Sequence, residues 1–403
     1  MTAHAGPGTI GLDPLDRNDT TAAPDRAEFS GLPAAQQPEW PDHRQLRDAL
    51  RSLPDRDLVT REDVASLRGR LAALGTDGGL ILQIGDCVED IDGDAVAATR
   101  NQLAFFDRAR DHLRGRTGRD VTLVGRIAGQ YAKPRSQEYE VIDGVRLPSY
   151  RGPVVNAPWP TAEARRPHPA RIIRAHAAAL TALEAVREHR RGGGSPVWTS
   201  HEMLLLDYEL RFLRRRPDGN HLATTHWPWI GARTNRHDGA HAAVAATLGN
   251  PVSAKIGPGT PPEEAARLAA LLNPGDEPGR LTLIARMGHR GIDRLGPIVR
   301  AVHRRTEHVH WISDPMHGNT VTSASGLKTR HVEHVVEECA RFQEILLREG
   351  RRPAGIHLEA THEDVHECTE NGREPRDRSR YRTLLDPRLN PGQTARVLDA
   401  WSR

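Results

Sequence analysis

The sequence predicts a (β/α)8 barrel, in which eight parallel strands and their helices alternate, preceded by a helical extension. Eight short apolar runs alternate with amphipathic stretches along the chain. Polar and charged residues follow all eight runs, and the active site of this fold lies where its strands end. A doubly wound sheet would give the same alternation, but it offers no reason to place polar residues after every strand.

The 403 residues are enough for one large α/β domain. Residues 1–35 are rich in Gly, Pro, Ala and Asp and have no apolar period, so we expect a disordered N-terminal arm there. Residues 36–403 are expected to form a single barrel domain that includes two N-terminal helices, near 43–53 and 60–74.

The predicted strands share a short apolar core bounded by turn residues. They are 79–85, 121–127, 196–200, 224–231, 252–257, 281–287, 309–314 and 355–360. The stretches between them include four with helical spacing of apolar residues. These are 172–190, 261–272, 289–304 and 329–349.

Charge and composition exclude several classes of protein. The net charge is only +3, so a nucleic-acid partner is not expected. The chain has no apolar run of bilayer length and its start lacks the order of a signal peptide, so we expect neither a membrane partner nor export. The three cysteines form no CxxC pair. These features predict a cytoplasmic protein.

Lysine is rare in this chain. Of the 56 basic residues only Lys133, Lys255 and Lys328 are lysines. Because arginine does not replace a compact ammonium group at every site, three surviving lysines on separate segments suggest an anionic substrate. Compositional bias with three accidental survivors is the alternative.

Four residues after separate strands offer a mixed set of metal ligands: Cys87, His317, Glu359 and Asp386. A thiolate, an imidazole and two carboxylates suit Mn²⁺, Fe²⁺, Co²⁺ or Zn²⁺, whereas Ca²⁺ and Mg²⁺ avoid sulfur. Each residue alone also has an ordinary explanation, since a lone cysteine is often packing and the chain has 21 histidines.

The cations form two further groups. One would surround a phosphate and a carboxylate: Arg126, Arg233, Lys255 and Arg286. The other would hold a second phosphate: Lys133, Arg135, Ser136 and Lys328. An arginine-rich solvated surface is the alternative, although Lys255 and Arg286 lie in apolar runs where an unpaired charge would be costly.

Many strings of this chain are similar, in order, to those of the type II 3-deoxy-D-arabino-heptulosonate 7-phosphate (DAHP) synthases. They include QIGDCVED (83–90), GRIAGQYAKPRS (125–136), TSHEMLLLDYE (199–209), HWPWIGARTNRHDGAH (226–241), NPVSAKIGP (250–258), DPMHGNT (314–320), SGLKTR (325–330) and DPRLNP (386–391). The resemblance runs from about residue 36 to the end. Because almost no sequence separates Ser195 from Thr199, the chain resembles the short form.

The resemblance implies a condensation of phosphoenolpyruvate (PEP) with erythrose 4-phosphate that yields DAHP and phosphate, the first step of the shikimate pathway. It implies a metal, with Mn²⁺ as first choice, on Cys87, His317, Glu359 and Asp386, and a homodimer. Lys133, Arg126, Cys87 and His317 would be catalytic. PEP would contact Arg126, Lys133, Arg233, Lys255, Arg286, Trp229 and Glu202, and the aldose phosphate would contact Arg135, Ser136 and Lys328.

Several positions depart from the family pattern: Ala232 replaces glutamate, Ile84 replaces glycine, and His289, His362 and His366 replace small or polar residues. We expect these changes to lie near the site and to bear on the acceptor. The short form suggests a role in secondary metabolism. An amino-DAHP synthase that takes an imine acceptor, an inactive regulatory homologue and a Schiff-base aldolase acting through Lys255 are the alternatives.

Overall fold

A computed structural model describes residues 28–215, 219–370 and 378–401. Its central feature is one eight-stranded parallel sheet. The strands are β1 Leu80–Gly85, β2 Val121–Arg126, β3 Val197–Thr199, β4 Trp229–Ile230, β5 Val252–Ile256, β6 Leu281–Ala285, β7 Val309–Ser313 and β8 Pro353–Glu359. All eight predicted strands are confirmed; seven have shorter bounds, and β8 begins two residues earlier and ends one residue earlier than predicted.

The sheet closes into a barrel. Its hydrogen-bonded order is β3-β2-β1-β8-β7-β6-β5-β4, so β3 and β4 are its outer strands. These two meet beyond the end of β3, where Glu202 and Trp229 form a parallel bridge. The Trp229 amide donates to the His201 carbonyl at 3.1 Å, and the Met203 amide donates to the Trp229 carbonyl at 2.9 Å. The predicted (β/α)8 fold is therefore confirmed.

Helices lie between the strands and at both ends of the described chain. They are α1 His43–Ser52, α2 Arg61–Asp77, α3 Ala95–Thr117, α4 Ala162–Arg165, α5 Ala170–Arg191, α6 Leu206–Arg211, α7 Ala240–Thr247, α8 Pro262–Leu272, α9 Leu295–His303, α10 Val332–Arg348 and α11 Pro391–Asp399. The described residues also include three two-stranded hairpins and two short 3₁₀ helices. The hairpins pair Tyr139–Ile142 with Val145–Pro148, Leu213–Arg214 with His221–Leu222, and Thr320–Thr322 with Lys328–Arg330, and the 3₁₀ helices are Ile292–Arg294 and Arg378–Arg380. Within the described ranges, every helix is either too short or too polar to cross a bilayer.

Helix α2 closes the amino-terminal end of the barrel. Its start is capped by the Thr60 side chain, and it ends at Gly78, whose φ of 74° is readily adopted only by glycine. Leu67 and Leu71 on its buried face pack in one cluster with Ile81 and Ile312, which point into the barrel. Burial of these side chains keeps water out of that end, so the interior opens toward the carboxyl ends of the strands.

The predicted N-terminal arm of residues 1–35 lies largely outside the described residues. Its last part is packed, however: Phe29 and Ala34 are buried in the core, and the Pro33 carbonyl accepts a hydrogen bond from the Ala240 amide at 3.0 Å. Residues 29–34 therefore pack against the barrel, because an aromatic side chain at 29 supplies apolar surface to bury.

Candidate active site

Strand alternation sends a column of polar side chains into the barrel. Side chains two residues apart on a strand share a face, so His357 and Glu359 of β8 both point inward. Leu80, Leu82 and Ile84 belong to the outer core between strands and helices. The Ile84 side chain therefore points toward the helices and away from the barrel interior.

A buried acidic cluster lies at the carboxyl ends of β1 and β8. The ligand atoms of Cys87, Glu359 and Asp386 all lie within 4.8 Å of one another. The ammonium group of Lys133 joins them: its Nζ donates to Cys87 Sγ at 2.9 Å and to Glu359 Oε1 at 2.8 Å, and lies 2.6 Å from Asp386 Oδ2. Three of the four predicted metal ligands thus converge on one cationic group.

His317, the fourth predicted ligand, contacts the cluster from β7. Its Nε2 lies 2.9 Å from Glu359 Oε1, and its Nδ1 lies 2.8 Å from Asp314 Oδ2. Burial lowers the pKa of His317, which favours the neutral ring. With Nδ1–H donated to the Asp314 carboxylate, the Nε2 lone pair faces the cluster, which is the usual arrangement of a metal-binding histidine and its carboxylate partner.

Electrostatics also fit a bound cation. Burial acts to raise the pKa of Glu359, yet His317, Lys133, Arg330 and Arg126 together hold it well below its ordinary value. Burial raises the pKa of the Cys87 thiol to about 11. A divalent ion would lower that pKa and take the thiolate as a ligand. The donor set of one sulfur, one imidazole nitrogen and two carboxylates therefore suits a borderline divalent metal.

A second, cationic group lies beside this cluster. Lys255, predicted within a strand, is 5 % exposed, and its Nζ donates to Asp314 Oδ2 at 2.9 Å. Arg126 is 2 % exposed and its guanidinium lies 3.1 Å from Glu359 Oε1. Both cations lie over the Trp229 ring, at 5.7 Å and 5.4 Å from its centroid. Two of the four predicted PEP cations are thus buried side by side.

The other two predicted PEP cations lie nearer the surface. Arg286 is half-buried and donates to the His317 carbonyl at 2.8 Å. Arg233 has an exposed side chain, but partial desolvation by neighbouring residues, together with the charge of Arg286, lowers its pKa. Repulsion between neighbouring guanidinium groups is relieved when an anion binds between them, so this edge suits an oxyanion.

Glu202, predicted to contact PEP, has a carboxyl group on which the charges of Lys255 and Arg233 act. It is buried, its Oε1 has no hydrogen-bond partner among the described residues, and burial raises its pKa. A Cβ at Gly231 would lie 2.0 Å from Glu202 Oε1, so a side chain at that position would displace the Glu202 carboxyl group. An unpaired buried carboxyl oxygen next to Arg233 is available to bind water or substrate.

The predicted second phosphate site is only partly assembled. Lys133 and Lys328 meet at Asp386, where the Lys328 Nζ donates to Oδ1 at 2.9 Å. Arg135 instead pairs with Glu140 at 2.8 Å, and Ser136 is exposed. That the two lysines and the Arg135–Ser136 segment together bind one phosphate remains a prediction.

Sequence reasoning did not assign roles to Asp314, His357 and Arg330. Asp314 follows the end of β7 and lies in the string that carries His317, so spacing could have indicated it. His357 lies two residues before Glu359 on one strand face, which is also a readable signal. Arg330 gave no signal in the sequence, because it is one arginine among many. In the structure it is fully buried, and its NH2 lies 2.7 Å from Glu359 Oε2.

A family model described as the Class-II DAHP synthetase family matches residues 24–197 and 194–398. The chain belongs to this family. It is 42% identical over 377 residues to a "Probable phospho-2-dehydro-3-deoxyheptonate aldolase" of Pseudomonas fluorescens, an alignment that covers 91% of this chain and 94% of that protein.

Two further relatives carry the name "Phospho-2-dehydro-3-deoxyheptonate aldolase". That of Streptomyces coelicolor is 38% identical over 419 residues, covering 90% of this chain and 93% of the relative. That of Mycolicibacterium smegmatis, with AroG added to its name, is 35% identical over 424 residues, covering 90% of each. The membership of the family that the sequence strings indicated is therefore confirmed.

Most family departures lie outside the innermost groups. His362 contacts Gln102 at 2.9 Å, and His366 lies 3.4 Å from Arg380. His289 stacks on His334 with ring centroids 3.8 Å apart. Ala232, half-buried and adjacent to Arg233, is the departure at the site edge.

Removal of the Arg330 guanidinium is expected to weaken both the fold and the acidic cluster. Its NH2 binds Glu359, and its Nε donates to Thr320 Oγ1 at 3.0 Å. In Arg330→Gln one oxygen of a buried carboxylate loses its cation, so we expect the free energy of unfolding to fall by about 3 kcal/mol. Denaturant unfolding of the metal-free protein measures this.

Arg396→Gln is the matched control. Arg396 is partly exposed and lies 3.2 Å from Glu333, and exposed pairs of this kind contribute about 1 kcal/mol or less. If both variants lost the same free energy of unfolding, the buried ion pair of Arg330 would contribute no more than an exposed one.

Proposed function

We propose that this chain is a DAHP synthase that condenses PEP with erythrose 4-phosphate. The observation that carries the proposal is the juxtaposition of two buried groups. The donor set of Cys87, Glu359 and Asp386 contacts Arg126 directly. Lys255, from a different strand, contacts Asp314, which in turn holds His317. Family membership and the names of three relatives support the same reaction.

PEP would be held by its charged groups. Arg126 and Lys255 at the buried end, with Arg286 and Arg233 at the open end, offer donors to one phosphate and one carboxylate. The indole of Trp229 lies beneath both buried cations. Holding PEP in this way leaves its C3 free to attack an aldehyde carbon that enters from the side of Lys133 and Lys328.

The reaction forms a C–C bond between C3 of PEP and the aldehyde carbon, after which water adds at C2 and phosphate leaves with cleavage of the C2–O bond. Cys87, His317, Glu359 and Asp386 would hold a divalent metal, Mn²⁺ by preference or Co²⁺, Fe²⁺ or Zn²⁺, which when bound supplies Lewis acidity for the aldehyde oxygen. Lys133, which contacts Glu359, would deliver a proton to that oxygen, and Glu202 would orient the water through its unpaired Oε1.

The direct test is the purified, metal-loaded protein with PEP, with and without erythrose 4-phosphate. We expect phosphate release that depends on the acceptor, and a seven-carbon 3-deoxy-2-oxo acid phosphate as the product. Binding of PEP without phosphate release with any aldose phosphate would instead identify an inactive regulatory homologue. Trapping of substrate on Lys255 by borohydride would identify a Schiff-base aldolase.

Restoring glutamate at Ala232 is expected to change acceptor preference more than PEP binding. Ala232 is adjacent to Arg233, and Glu202 is the carboxylate already facing that turn. A second carboxylate there would alter how water and the acceptor are held, while Arg126 and Lys255 still bind PEP. Catalytic efficiency of Ala232→Glu with erythrose 4-phosphate and with its imine analogue measures the effect.

We expect the ratio of the two efficiencies to change by about 10-fold, the size of one altered hydrogen bond to a charged group, with the PEP affinity within about threefold of the parent. An unchanged ratio would remove the reason for considering an amino-DAHP synthase.

A further inference from the structure

One histidine contacts both buried cations of the site. His357 is fully buried on β8, and its Nε2 lies 2.7 Å from a terminal nitrogen of Arg126 and 3.3 Å from Lys255 Nζ. Guanidinium and ammonium groups have N–H donors and no acceptor. The Nε2 atom must therefore accept from both.

We propose that His357 is a positioning residue that fixes Arg126 and Lys255 relative to each other for PEP. This inference rests on the proposed function and adds to it a residue that touches neither substrate. Arg126 pairs with Glu359 and Lys255 pairs with Asp314, so each cation has its own carboxylate. His357 is the acceptor that the two cations share.

The tautomer of His357 is set by a one-way chain of hydrogen bonds. Ser200 Oγ donates to the Gly125 carbonyl at 3.3 Å and accepts from Gln83 Nε2 at 2.9 Å. The amide oxygen of Gln83 therefore faces His357 Nδ1, at 2.6 Å. Since that oxygen only accepts, Nδ1 carries the proton and Nε2 is free to accept from the cations.

A neutral hydrogen-bond acceptor suits the position between Arg126 and Lys255. Arg126 and Lys255 repel each other, and a carboxylate between them would neutralise charge that PEP needs. An imidazole acceptor brings the two donors toward one atom without removing their charge. The competing explanation is packing alone, since His357 also lies edge-on to Trp229 with centroids 5.4 Å apart.

Two isosteric substitutions separate these explanations. In His357→Gln the side-chain oxygen reaches the place of Nε2 and keeps an acceptor for the cations. In His357→Asn the shorter amide reaches only the place of Nδ1, so Arg126 and Lys255 lose the shared acceptor. Both variants lose the ring, so packing against Trp229 is removed in each.

The measurements are the Kd of PEP by calorimetry and the KM of erythrose 4-phosphate, on full-length, metal-loaded protein. For His357→Asn we expect the Kd of PEP to rise by about 10- to 100-fold, the range for one or two lost hydrogen bonds to charged groups. The acceptor KM should stay within about threefold, and His357→Gln should recover most of the PEP affinity.

Gln83→Leu provides a second test if His357→Asn is poorly folded. It removes the acceptor of Nδ1–H but leaves the imidazole in place, and a rise in the Kd of PEP with unchanged acceptor KM is expected. Two results would overturn the role of His357. One is an unchanged Kd of PEP in the folded variants. The other is a Kd of PEP and a KM of erythrose 4-phosphate that rise by the same factor in both His357 variants. Failure of the parent protein to bind PEP would overturn the proposed function as well.

Discussion

Replacing Cys87 by serine is expected to lower the rate of phosphate release by about 100-fold or more, since altering even the outer neighbours of a metal commonly costs about 10- to 100-fold. The thiolate is the softest donor in the cluster, and a serine hydroxyl does not ionise to replace it. Sγ also accepts from Lys133 Nζ at 2.9 Å and from the Asp386 amide at 3.3 Å. The measurement is phosphate release at a series of Mn²⁺ concentrations.

Cys339→Ser is the matched control, because Cys339 is equally buried on α10 but belongs to the outer core. This variant should lose stability yet keep the activity of each folded molecule. Since metal displaces the proton of a thiol whose pKa is raised to about 11, the metal affinity of the parent protein should rise with pH. Full activity after exhaustive chelation would contradict the metal requirement.

The fold was predictable because each barrel strand can be recognised in the sequence as a short apolar run. Every apolar run that became a strand is followed by turn residues, and polar residues such as Lys133 and His201 follow the runs. What the sequence did not show is how the barrel closes. Strand β4 is only Trp229–Ile230, and its contact with the β3 side depends on backbone hydrogen bonds beyond Thr199, which no side-chain pattern records.

The site was predictable where its residues differ chemically from their surroundings. Cys87 and Lys133 are rare residue types in this chain, and the structure places them 2.9 Å apart. Arg330 could not be found in this way, because a buried arginine and a surface arginine look alike in a sequence that has replaced nearly every lysine by arginine. Burial is a property of the fold, and it distinguishes Arg330 from Arg396.

Lys255→Arg is expected to be the most damaging of the conservative substitutions in this chain. Lys255 lies on β5 with its side chain inside the barrel, and its Nζ contacts Asp314 at 2.9 Å and His357 at 3.3 Å. A guanidinium is larger and planar, and its nitrogens lie farther from the backbone than a lysine Nζ. It would displace the Asp314 carboxylate or the His357 ring, since protein interiors are close-packed and both groups are in contact with Lys255.

We expect the Kd of PEP to rise by about 100-fold, because a misplaced cation loses its charge-assisted bond and leaves the buried Asp314 carboxylate with His317 but without its ammonium partner. Calorimetric titration of metal-loaded protein with PEP measures the change. Arg267→Lys is the control in the opposite direction: Arg267 is exposed on α8 beside Glu264, and exchange of its cation should leave PEP affinity unchanged. Equal PEP affinity in Lys255→Arg and the parent protein would mean that the retained lysine reflects composition and that the β5 ammonium group does not bind PEP.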